Sequence, residues 1–199
     1  AETSPSPSIQ QYHQTPAAIM TVLKLFHQHN IQYLLFKCEH IFEGHNKNLD
    51  ILFESNNGYN LASALLEKDG FVIRFGEEFE KYKKMYCSHE QGIMTSIHLH
   101  REIAWHGMIA LDKQEVFKRK NIVNSLVIIP SIEDSILIHA AHVLFENFAW
   151  REREKRYLAQ LQQKDLDHAY IKRQIINHHW YYGFRKLYEQ REIWPVIPF

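Results

Sequence analysis

The chain has 199 residues, 45% of them apolar and 23% charged, and its 23 basic residues balance 23 acidic ones. That composition suits a soluble globular fold and excludes a disordered chain, while zero net charge gives no field that would gather nucleic acid or an anionic membrane. No apolar run approaches the roughly 18 residues of a membrane span, no signal-peptide pattern opens the sequence, and two cysteines, Cys38 and Cys87, are too few for a disulfide framework, so the default expectation is a soluble cytoplasmic protein.

Residues 1–15 begin with a polar, Pro/Ser-rich stretch and read as a flexible tail or cloning remnant. Thr15-Pro16 has the chemistry of a helix start, and Ile19, Val22, Leu23 and Phe26 follow at helical spacing as far as Asn30. Ile31 to Phe36 and Leu49 to Phe53 read as buried strands around a polar loop, Glu39 to Lys47. Asn57-Gly58 predicts a turn, followed by a helix carrying Leu61, Leu65 and Leu66 that stops at Gly70. Phe71 to Phe75 is a third strand.

Lys83 to Ser88 and Ile93 to Glu102 predict two antiparallel strands joined around His89-Glu90-Gln91-Gly92. In the second, Ser96, His98 and His100 share one face, and Ile97 and Leu99 the other. Asp112 to Lys120 reads as a short helix and Leu126 to Ile129 as a short edge strand. Ser131 is placed to cap a helix containing the apolar run Ile136 to Phe148, and from Arg151 the pattern is helical to the end. Strands dominate the first two-thirds and helices the last third. The expected layout is α+β: a mixed sheet flanked by helices over residues 16–129, then a helical subdomain over 130–199.

The segment that carries possible chemistry is Phe36-Lys37-Cys38, nine further residues, then Asn48-Leu49-Asp50. Two polar side chains at i and i+2 of a strand project to one side, as a cation site requires. With the later Ile97-His98-Leu99-His100 strand and the Ile132-to-His142 helix start, this order resembles the DNA polymerase β-like nucleotidyltransferase superfamily, in particular its uncharacterised bacterial and archaeal nucleotidyltransferase-like members. In those, Leu-Lys-Gly leads to Asp-Ile-Asp, and an Asp-Leu-His-like strand follows. The resemblance covers roughly residues 17 to 148. It implies a nucleotidyltransferase-like fold, an NTP and an unknown acceptor as partners, and Mg²⁺ as cofactor. It makes Asp50, Asn48 and His98 the metal-binding and catalytic positions, and Lys37 and Cys38 the nucleotide-binding ones.

Three positions depart from that pattern. Cys38 replaces the turn glycine that lets backbone N–H groups approach a phosphate. Asn48 and His98 replace two of three metal carboxylates, leaving Asp50. Three readings follow: a nucleotidyltransferase with a weakened Mg²⁺ site, a degenerate member that binds a nucleotide, protein or RNA, and a transition-metal site such as Zn²⁺ at His98, His100 and Asp50. Four other features read more simply as interface, core or solvated faces: His139 with His142, Cys38 with Cys87, the alternating charges of Arg151 to Arg156, and the aromatic run Trp180 to Phe184.

Overall fold

The computed structural model of the protein describes residues 17–37, 48–90, 93–147 and 165–180, with single positions at 152, 156, 160, 161 and 183. Ile19, Val22, Leu23 and Phe26 form the buried stripe of α1 (Ala17–Gln28). Asn30, in the left-handed conformation, turns the chain out of it.

Five strands make a mixed sheet in the order β1-β2-β5-β4-β3: β1 (Tyr33–Leu35), β2 (Asn48–Phe53), β3 (Val72–Phe75), β4 (Lys83–Glu90) and β5 (Ile93–His100). Only β2 and β5 run parallel; the other neighbours are antiparallel. Between β2 and β3 lies α2 (Asn56–Lys68), and Gly70 leaves its end at φ 86° as the sequence predicts.

Alternation along the strands divides the core in two. On one face Leu35, Leu49, Ile51, Phe53, Tyr86, Ile97 and Leu99 bury against α1 and α2. On the other, Leu34, Phe36 and Leu52 join a second cluster. Most of its remaining members come from the hairpin β6 (Ile103–Trp105) and β7 (Met108–Leu111), α3 (Lys113–Lys118), α4 (Ile132–His142) and α5 (His168–Asn177), with Leu161 and Trp180 beside them. A short ladder of β8 (Asn121–Ile122) with β9 (Ile128–Ile129) precedes α4. The fold is thus mixed α/β, with helices on both sides of one sheet.

Several local expectations change. Asn57 and Gly58 do not form a turn but lie in the first turn of α2, because Ser55 caps that helix and accepts the Gly58 N–H at 3.0 Å. Leu61 is on the outer face of α2, 42% exposed. The fifth strand stops at His100, and residues 103–111 fold into a separate hairpin. His106 and Gly107, both at positive φ, make its two-residue turn. The helix after Ser131 begins at Ile132, and its last turn, Val143–Asn147, is a π-helix. Cys38, the tail over 1–15, the loop over 39–47 and most of the chain after Arg151 lie outside the described residues.

Candidate functional site

Burial of Leu49 and Ile51 against α1 and α2 forces the residue between them, Asp50, to the opposite face. The parallel register then sets Asp50 opposite His98 and Leu52 opposite His100. Beyond β1, the Phe36 N–H donates to the Asp50 carbonyl at 3.2 Å, which keeps the next residue close to β2. That residue, Lys37, has φ 53°, an uncommon value for a side-chain-bearing residue, and its side chain returns to the same carboxylate.

Three nitrogens converge on one oxygen. Asp50 Oδ1 lies 3.2 Å from Lys37 Nζ, 3.3 Å from His98 Nδ1 and 2.9 Å from His100 Nε2. The four side chains are between 5% and 16% exposed, so water screens them little. Burial opposes ionisation of Asp50, but the Lys37 ammonium and the two imidazoles outweigh it and hold the carboxyl well below its ordinary range. Burial also pushes His100 down to about 3, against the pull of Asp50, so its ring is neutral at physiological pH. Phe36 packs edge-on against His100 at 4.6 Å and fixes the ring. With the His98 proton on Nδ1, facing Asp50, the buried Nε2 carries a lone pair that has no hydrogen-bond partner.

The sequence-predicted positions are placed unequally. Asp50, His98, His100 and Lys37 are brought together. Asn48 is exposed at the start of β2, opposite Ser96 and one pleat repeat, roughly 7 Å, along the strand from Asp50. Cys38 lies outside the described residues. Cys87 is buried with its Sγ 3.4 Å from Ser96 Oγ, and His142 is engaged by Glu146.

Sequence reasoning missed Lys83, Trp105 and Glu146. Lys83 stands opposite His100 on β4 and pairs with Glu80 at 3.0 Å. Glu146, in the π-helical turn, accepts the Trp105 indole N–H at 2.6 Å and lies 3.0 Å from His142 Nε2. The His142 hydrogen bond, working against burial and helped by Lys37, draws the Glu146 carboxyl down to about 2. Lys37 and Lys83 act on His100 as well as on Glu146. The one available signal was His142 and Glu146 at i,i+4, which share a helix face.

A cavity among the described residues sits elsewhere. It has about 450 Å³, is lined by Val72, Arg74, Cys87 and Met94, toward the β3 edge of the sheet, and includes neither Asp50 nor the two histidines. Convergence of side chains, rather than cavity volume, therefore marks the site. Its donor set does not fit Mg²⁺, which demands oxygen ligands, because the cluster supplies one carboxylate, two imidazoles and an ammonium. Nitrogen-accepting transition metals fit it better.

Comparison with known proteins gives no match: no protein-family model, no curated protein and no solved structure is similar to the chain. Among the described residues, no helix is long and apolar enough to cross a membrane.

Proposed function

We propose that the protein is a degenerate member of the DNA polymerase β-like nucleotidyltransferase superfamily that binds a nucleotide without transferring it. The observation that carries this reading is the single carboxylate oxygen of Asp50 held by Lys37, His98 and His100. In-line nucleotidyl transfer uses two cations about 4 Å apart, clamped by several carboxylates. Here the corresponding strand positions carry Asn48, Asp50 and His98, and a lysine ammonium stands beside the carboxylate that remains. Lys37 and Lys83 are point charges of the kind that hold phosphates, which favours a nucleotide as ligand. Zero net charge disfavours RNA.

Calorimetry with ATP and with CTP, run beside a pyrophosphate-release assay containing Mg²⁺ or Mn²⁺, tests the proposal. The expected result is binding heat that disappears in Lys37→Ala, with no pyrophosphate above the blank. Pyrophosphate release that is lost in Asp50→Ala would show an active transferase. No heat at millimolar nucleotide would remove the nucleotide from the proposal.

A further inference from the structure

We propose that Asp50, His98 and His100 together bind one divalent transition-metal ion of the zinc class. The proposal rests on the reading of this sheet face as a binding surface, and it names the chemistry of that surface. One ligand atom from each of the three residues lies within 4.8 Å of the other two. Zinc bonds to nitrogen and to carboxylate oxygen run about 2.0–2.2 Å, so tetrahedral ligand atoms stand roughly 3.4 Å apart. The nitrogens of His98 and His100 are already 3.3 and 2.9 Å from Asp50 Oδ1, so an ion enters with small side-chain adjustments once each ring carries its proton on the nitrogen that faces away from the carboxylate.

Rigidity supports the same conclusion. The two histidines are i and i+2 on β5, and Asp50 is fixed across from them by the hydrogen-bonded β2 register. Phe36 holds the His100 ring, whose side chain is only 5% exposed. Two imidazoles and one carboxylate select a borderline metal over Mg²⁺ or Ca²⁺. Three protein ligands leave a fourth position for water or an oxygen of a bound ligand.

Lys37 is the competitor. Its ammonium sits 3.2 Å from the oxygen that would ligate the ion, so the ion must displace it. A flexible four-carbon stem permits that movement. The displaced ammonium then stands beside the open coordination position, where it can meet an anion. Lys37→Met removes the competing charge and should strengthen metal binding, a gain that an unfolded variant could not produce.

The test uses the full chain purified without a His-tag, stripped with a chelator, and titrated with Zn²⁺ and with Co²⁺ in the absence of nucleotide. One equivalent should bind, with Co²⁺ showing the intense visible absorption of a four-coordinate site. His98→Ala and Asp50→Ala, confirmed as folded by circular dichroism, should weaken binding at least about 100-fold, and Lys37→Met should tighten it about tenfold. Millimolar Mg²⁺ should not compete. Absence of saturable one-to-one binding in the wild type overturns the proposal. So does binding unchanged in His98→Ala, since the chain has 14 histidines and the ion would then sit elsewhere. So does a Lys37→Met variant that binds no tighter. Nucleotide calorimetry in chelator is a separate measurement, so loss of the metal leaves the nucleotide reading standing, and the reverse holds.

Discussion

His98 stands directly opposite Asp50 in the parallel β2–β5 register, with its Nδ1 3.3 Å from the carboxylate Oδ1. Lys37 and His100 share that oxygen, so the carboxylate balances one ammonium and orients two rings. Removing it affects all of them.

Asp50→Asn should therefore cost about 1–3 kcal/mol, because it removes the carboxylate paired with a Lys37 side chain that is only 12% exposed and the charged acceptor shared by two buried rings. Adding Lys37→Met to that variant should restore part of the loss, since the cation of the broken pair is gone. Urea denaturation of the two single variants and the double variant gives the coupling directly. Strict additivity would mean that the two residues do not interact as described.

Glu146 should make the protein acid-sensitive. Its carboxyl is held at about 2 in the fold, against 4.5 ordinarily, by the His142 hydrogen bond and by Lys37 and Lys83, with burial opposing. A depressed folded-state value means that the stabilisation is complete above pH 4.5 and is lost as pH falls from there through 2. Urea midpoints of wild type and Glu146→Gln should differ most at pH 7 and converge toward pH 3. A gap that stays constant across that range contradicts the linkage.

Tyr170 fastens the helical side from below. Its hydroxyl donates to Asp134 Oδ1 at 2.6 Å, Ser131 donates to Oδ2 at 2.8 Å, and Asp134 is fully buried. The Arg119 guanidinium lies over the Tyr170 ring at 3.8 Å. Tyr170→Phe keeps the ring and removes one donor from a buried carboxylate, and should cost about 1–3 kcal/mol. A melting temperature equal to wild type would show that water replaces the hydroxyl without loss.

Leu52 joins the sheet to the C-terminal helices, because it shares a core cluster with Ile136, Ala140, Tyr170 and Ile171. Leu52→Ala should cost about 2–5 kcal/mol. Far-ultraviolet circular dichroism and tryptophan fluorescence should still report one coincident transition in urea, since residues 16–129 and 130–199 contribute to the same cluster. Two separated transitions would mean that the two parts fold independently.

Much of this was legible locally. The stripe of α1, the alternation of Ser96, His98 and His100 against Ile97 and Leu99, the Ser131 cap and the Gly70 stop all follow from periodicity and end chemistry within a few residues. The hairpin at His106-Gly107 was hidden because its turn lacks the usual Asn-Gly or Asp-Gly signal, and Asn57-Gly58 misled because Ser55 recruits it into a helix. By itself the sequence determined which faces are polar and that Asp50 and the two histidines each project from one. Only the tertiary structure decided that they meet. The β2–β5 register and the influence of Lys37 on Glu146 join segments roughly 50 to 100 residues apart, and contacts that long-range depend on strand pairing and core packing, which leave no mark in local spacing.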